Sequence, residues 1–486
     1  MNASVSPSAD QLWRRWLDWR LLAFALFVVL TGFTSLHHEP WDDECHAFLM
    51  ARELPLSELI FTYIPYEGTP PLWHLVLWCL TSAGGNLDAM RILSIAIAAI
   101  GTLLLLWRAP FPAGLKLLIP FGFWTAYQYS VVARSYVLIP ILIYLVAIFW
   151  QHRLTKPFRM VLVLGLVASV SAHGFAVAGA FALVMTVELL RSRKTLPARQ
   201  FRMASLALTG LLLFAGLIYA LVRSPADITF PARNPGPPLL ALKNAARAII
   251  DQAWTPYRPL TLLVLVVSSW WFFRTRALSI WLIPTATLTM LLWLIWRQEW
   301  HIGMVYLVWL AALWISFENL KHLPSVGKLE RWIATSVFAV GIGSQIAWTL
   351  QTAYLDWRLP YSGSHAVDQY LQSRNLATEP LAGVGFPCTS VQAYFPAPLF
   401  LNWNRGSPPS IWWWSERFDY VEKPLDLATA KPAAILRPIK PPIWRTNEHY
   451  PGYFKAAVFP GHMFFQDFIK EETSFEIWLP VKTSAP

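Results

Sequence analysis

Charge is scarce in this chain. Asp, Glu, Lys and Arg make up 14% of its 486 residues, where a soluble protein carries about a quarter. Hydrophobic residues make up 56%, which places most of the chain in lipid. Cysteine is nearly absent. Cys45, Cys79 and Cys388 show no CxxC or other metal spacing and no paired framework, so all three read as structural. No glycine-rich phosphate loop is present, which argues against a cytosolic nucleotide site. No internal repeat is visible. The formal charge of +11 is not a sign of nucleic acid, because the basic residues fall in short loops between apolar runs. No small-residue cleavage site follows the first apolar run; His37-His38-Glu39-Pro40 does. That run, Leu21 to Leu36, follows Arg14, Arg15 and Arg20 and reads as a retained anchor with a cytoplasmic N-terminus.

Apolar length is what the chain has in quantity. Its runs predict about eleven spanning helices, near 20–36, 88–107, 114–133, 135–151, 159–173, 174–190, 203–223, 259–273, 277–296, 302–317 and 332–350. Pro70 to Ala83 is too short to cross and reads as a helix lying in the outer interface. The 27 tryptophans suit a protein with two interfaces to belt. This topology puts Arg108, Lys116, Arg153, Lys156, Arg159, Arg191, Arg274, Arg276, Lys321 and Lys328 on one side with the N-terminus. The first loop of the other side, 37–69, holds Glu39, Asp42, Asp43, Glu44, Glu53, Glu58 and Glu67 against the single base Arg52. The loop 224–258 departs from the pattern, with Arg233, Lys243, Arg247 and Arg258 outside. Residues 1–350 therefore read as a membrane domain. Residues 351–486 read as a small extracytoplasmic α/β domain, with a helix at His365–Arg374 and strands at Pro380–Gly385, Ala433–Leu436 and Phe475–Leu479.

Candidate chemistry gathers on the outer side. Asp42, Asp43 and Glu44 open a helix-like segment. Acids there cap a helix and complement its dipole, but three exceed what a cap needs. One can act as a base toward an acceptor, and Asp43 and Glu44 are the natural ligands of a divalent metal if one takes part. Arg134 is either a snorkelling side chain or a phosphate anchor. Arg91, His173, Arg297, Glu299 and His301 also map to outer helix ends, and His74 lies one turn into the short interfacial helix. Polar groups from separated segments that meet at one membrane face argue for a site.

At these residues the chain resembles the GT-C superfamily of polytopic glycosyltransferases, in the bacterial branch related to protein O-mannosyltransferases and the lipid A aminoarabinose transferase. The resemblance rests on ordered elements over residues 20–310: Asp43-Glu44 with Ala47, Pro70-Pro71-Leu72, Arg91-Ile92-Leu93, Ala133-Arg134-Ser135-Tyr136, His173, and Arg297 with His301-Ile302-Gly303. Thr69 stands where many relatives carry His, and Gln298 where some carry a base. The resemblance implies an all-α polytopic fold. It also implies transfer of a sugar from a polyprenyl-phosphate donor at the outer face of the cytoplasmic membrane, with Asp43 as catalytic base. Asp42 and Glu44 are its neighbours; Arg134 is the first choice for the phosphate, supported by His74, Arg91, His173, Arg297 and His301.

Two other classes compete. A lipid or sugar transporter would show polar groups near the midplane and inverted halves, whereas here the charges sit at helix ends. A scaffold binding a partner through 351–486 is suggested by Trp412-Trp413-Trp414, which otherwise reads as membrane or core contact.

Overall fold

The computed structural model describes residues 18–229, 237–294, 298–323, 325–407, 410–439, 449–470 and 473–481. Among these, seven helices are long and apolar enough to cross a membrane: Trp19–His37, Leu87–Arg108, Ser135–His152, Ala172–Arg191, Ala198–Val222, Glu299–His322 and Lys328–Arg358. The fold is that of a helical membrane protein with a small strand-containing C-terminal region. Polar caps start several helices where the apolar runs begin. Asp18 accepts from the Arg20 N–H, Asn86 from Ala89 and Ser171 from Gly174. The helices Arg258–Arg274 and Leu278–Leu294 are 17 residues each, and Pro157–Ala168 is 12. Leu72–Ser82, eleven residues long, is as short as its sequence predicts.

The bundle has two distinct ends. At one, Arg20 lies over the Trp107 ring, Arg153 pairs with Glu188, and Arg274 pairs with Glu330. At the other, the first helix ends at His37 and the chain turns into the acidic helix Asp42–Glu53. Asp356, near the end of the long helix Lys328–Arg358, reaches this second end by bonding His38.

The expected span 114–133 is not one helix. It is broken into Ala113–Leu118, a 3-10 turn Ile119–Phe121 and a π-turn Trp124–Gln128. Pro120 brings no N–H, and Gly122 is extended at φ −65°, ψ 152°. Irregular backbone at membrane depth survives only inside protein, and residues 124–133 are buried throughout. Thr125 and Thr349 hydroxyls donate to the carbonyls of Ile119 and Phe121 at 2.5 and 2.8 Å. A second difference lies in the stretch 224–258, expected as an outer loop, which contains the unexpected helix Pro238–Gln252. Two of its bases, Arg247 and Arg258, share Asp251; Arg233 lies outside the described residues.

One helix is interior on every side: Gly303 to Phe317 are all buried. Its neighbours reach it through Trp309 Nε1 donating to Ser268 and Trp271 Nε1 donating to Ser316, both at 2.8 Å. A Cβ on Gly303 would sit 2.2 Å from the Trp124 ring, so only glycine allows this helix to start where it does.

The C-terminal region carries a four-stranded sheet. Its strands are β1 (Leu381–Gly383), β2 (Ala434–Pro438), β3 (Tyr453–Phe459) and β6 (Phe475–Pro480), in the order β1-β2-β6-β3. A hairpin of β4 (Met463–Phe465) and β5 (Phe468–Lys470) stands apart. β1 and β2 run parallel with Ala382 opposite Ile435, and β6 is antiparallel to β2 with Ile477 opposite Leu436. Helix Ser364–Ser373 packs Val367 and Leu371 onto this sheet. The three tryptophans divide their work. Trp412 is in this domain's core against Trp403 and Phe418, Trp413 packs on Tyr63 and Tyr66 of the first loop, and Trp414 packs on Phe386.

Candidate active site

The acidic helix starts where Pro40 and extended Trp41 end the preceding turn. Its first turn holds Asp42, Asp43 and Glu44, which complement the helix dipole. Asp42 Oδ1 accepts the Asp43 N–H at 2.8 Å. Glu44 faces inward and is fully buried. One of its oxygens accepts from the Ala133 N–H at 2.5 Å, and the other accepts from the Trp41 N–H and from His38, both at 3.3 Å. The second ring nitrogen of His38 donates to Asp356 at 3.2 Å. Burial alone would lower the His38 pKa, but the charges of Asp356 and then Glu44 outweigh it and push it up to about 10. The result is a buried imidazolium between two carboxylates, and Glu44 has no oxygen left for an acceptor. Next to it, Glu39 is pushed up to about 7, chiefly by burial.

Asp43 faces the other way, toward partial solvent. Its Oδ2 lies 2.9 Å from Arg134 Nη2, with the two side chains 29% and 21% exposed. Arg134 is extended at φ −118° directly before the helix that begins at Ser135. Its backbone neighbour Ala133 is the one that Glu44 holds, so the acidic turn grips this junction twice. The guanidinium carbon is 5.1 Å from the Trp300 ring centroid, 5.5 Å from Trp41 and 6.0 Å from Tyr136. These rings supply cation–π attraction and fix the fork. Arg134 Nη1 is buried and has no hydrogen-bond partner. A buried charged donor left in that state costs free energy until an acceptor arrives.

Beyond Arg134 the pocket continues through Tyr136, whose hydroxyl is 3.3 Å from His173 Nδ1. The His173 and His301 ring centroids lie 4.0 Å apart with the planes tilted by 33°, both rings buried. Tyr129 stacks on Tyr136 and donates to the Trp300 carbonyl at 2.6 Å. Asp43, Arg134, His173 and His301, four of the residues singled out in the sequence, thus meet in one cluster of side chains. Arg297 lies outside the described residues. Arg91 is placed differently: it donates to the Ser35 carbonyl and pairs with Asp88 at 3.0 Å, tying two helices together.

His74 belongs to a second cluster. His46 Nε2 is 2.9 Å from Glu67 Oε1, and His74 is adjacent. Burial drives His74 down to about 4 against the pull of Glu67, which keeps it neutral. Burial raises the Glu67 pKa, but His46 and then His74 more than reverse this and hold it below the usual carboxylate range. Phe386 of the C-terminal region closes this cluster edge-on over His46 at 5.2 Å.

Among the described residues, no group of three or more His, Cys, Asp or Glu is placed to hold a metal ion. Asp43 and Glu44, the pair that could have done so, point to different partners. His38, Asp356, Trp41 and Trp300 are site residues that the sequence did not reveal as such. All three cysteines are unpaired thiols. Comparison with known proteins yields no match, whether to a family model, a curated protein or a solved structure.

Proposed function

We propose that the chain is a multi-pass glycosyltransferase of the GT-C kind. In this reading it crosses the cytoplasmic membrane about eleven times and moves a sugar from a polyprenyl-phosphate donor to a hydroxyl or amine acceptor outside. The observation that carries the proposal is the meeting of Asp43 and Arg134 at 2.9 Å, both partly exposed, among aromatic rings. The pocket lies at the end of the bundle opposite the basic loops, which the positive-inside rule assigns to the cytoplasm. A lipid phosphate leaves readily, so catalysis needs a base for the acceptor and a cation for the departing phosphate. The acceptor O–H or N–H gives its proton to Asp43. The acceptor atom bonds to the anomeric carbon, the carbon–oxygen bond to phosphate breaks, and the phosphate leaves with the electron pair. Arg134, with Tyr136, His173 and His301 behind it, holds that charge.

The test is transfer from a polyprenyl-phosphate sugar by the purified protein in detergent. Asp43→Asn and Arg134→Ala are each expected to reduce turnover by about 100-fold or more. Undiminished turnover in both overturns the proposal. One observation favours a second reading, transport of the lipid-linked sugar: the broken, buried segment between Ala113 and Arg134 resembles the discontinuous helices of transporters. Movement of labelled lipid across proteoliposomes with no covalent transfer would select it.

A further inference from the structure

The candidate base and the candidate phosphate holder form an ion pair with each other. A carboxylate oxygen held by a guanidinium has lone pairs committed to that donor. Asp43 Oδ2 in this position is directed at the guanidinium rather than at an acceptor. The contact is also lopsided. Asp43 engages Arg134 at Nη2, while Nη1 stays buried with no hydrogen-bond partner. Three aromatic rings hold the guanidinium in place, whereas Asp43 is the more exposed member of the pair. A phosphate offers several oxygens in a geometry that matches the guanidinium fork. It can occupy Nη2 and the vacant Nη1 together, which Asp43 does not.

We infer that the donor phosphate and the Asp43 carboxylate compete for Arg134, so that seating the donor is what releases the base. This rests on the transferase reading above and adds an order of events to it. With no donor, Arg134 keeps Oδ2 of Asp43 turned toward itself and away from an arriving acceptor. When the lipid phosphate takes the guanidinium, Asp43 is displaced toward the open side of the pocket, where the acceptor arrives. Donor binds before acceptor.

The test is equilibrium binding of a radiolabelled short-chain polyprenyl phosphate to the full-length protein in detergent. Four proteins are compared: the natural chain, Asp43→Asn, Arg134→Ala and the double variant. Competition predicts that Asp43→Asn binds the phosphate about fivefold tighter, the equivalent of about 1 kcal/mol, although it no longer turns over. It also predicts that this gain vanishes when Arg134 is alanine. If the natural chain binds better than Arg134→Ala but Asp43→Asn binds no tighter than the natural chain, the competition is overturned and the phosphate role of Arg134 stands. If Asp43→Asn gains equally with and without Arg134, the effect is one of net charge and the competition is again overturned. If the natural chain and Arg134→Ala bind alike, the phosphate role of Arg134 falls as well.

Discussion

Asp43 and Glu44 are neighbours in sequence and opposites in use. One turn of helix sends Asp43 to a half-open pocket and Glu44 into a closed set of bonds with Ala133, Trp41 and His38. Glu44→Gln replaces one acceptor oxygen by an NH2 group that must face an N–H or the His38 imidazolium. Breaking a buried ionic contact from one side costs about 3–5 kcal/mol. Asp43→Asn weakens a partly exposed pair and is expected to cost about 1 kcal/mol or less. Thermal unfolding in detergent should therefore show a large drop for Glu44→Gln and a small one for Asp43→Asn; equal drops would contradict the division of roles. Asp43, Arg134, His173 and His301 were legible because they are polar residues at the ends of apolar runs. The use of Glu44 was not, because its partner His38 stands in a turn and Asp356 lies 318 residues further on. Nothing local marks such a pairing. Trp41 and Trp300 were hidden for another reason: tryptophan at a helix end reads as membrane belt, and only the fold turns it toward an arginine.

Two short elements give the protein its response to pH. His38 caps the first helix, and its folded pKa of about 10 lies above the ordinary 6.5. Its contribution to stability is complete below pH 6.5 and is lost as pH rises through 10. His74, on Leu72–Ser82, has its folded pKa near 4, below 6.5. Its contribution is present above pH 6.5 and is lost as pH falls through 4. Glu39 works against His74, since a carboxyl raised from 4.5 to about 7 loses stability as pH rises across that window. His38→Gln is expected to flatten the fall in thermal midpoint between pH 7 and 10, and His74→Phe the fall between pH 6.5 and 4. An alkaline limb unchanged in His38→Gln would remove the imidazolium from the account. The same scale shows which elements could be read in advance. Uninterrupted runs bounded by charge, such as Leu87–Arg108 and Ala198–Val222, were plain. The segment 114–133 misled because hydropathy sums over Pro120 and Gly122 without sensing the break. Helix Pro238–Gln252 was missed because Ala, Lys and Arg give it no apolar length, and β3 because Lys455 and a bulge before Ala457 interrupt its alternation.

Across the whole molecule, the C-terminal region is stitched to the bundle. The Ser410 N–H donates to Glu53 at 2.6 Å, Arg52 donates to the Ala393 carbonyl at 3.2 Å, and Tyr66 and Ser415 both donate to Asp227. Phe465 inserts against Phe123 and Trp124 beneath the pocket, and Phe464 joins Trp41 and Tyr361. A chain ending at Arg358 loses these fillers and uncovers the ring of Trp41 that braces Arg134. It is expected to lose transfer activity and to be cleared from the membrane fraction, as measured by blotting and the lipid-linked sugar assay. Full activity in that truncation would make the region dispensable to the site. The interior helix Gly303–Asn319 carries a further consequence, for biosynthesis. It emerges from the ribosome before Lys328–Arg358 and before Phe465, both of which help enclose its surroundings in the finished protein. Its first neighbours on one side are therefore lipid tails, and it must later trade them for protein. Lipid is as apolar as leucine, so that exchange is driven by shape rather than by escape from water. Trimming Trp309 or Trp314 should leave insertion intact and stall the closing of the bundle. The late step in making this protein is thus expected to be a sideways one, within the membrane, that awaits the translation of Phe465.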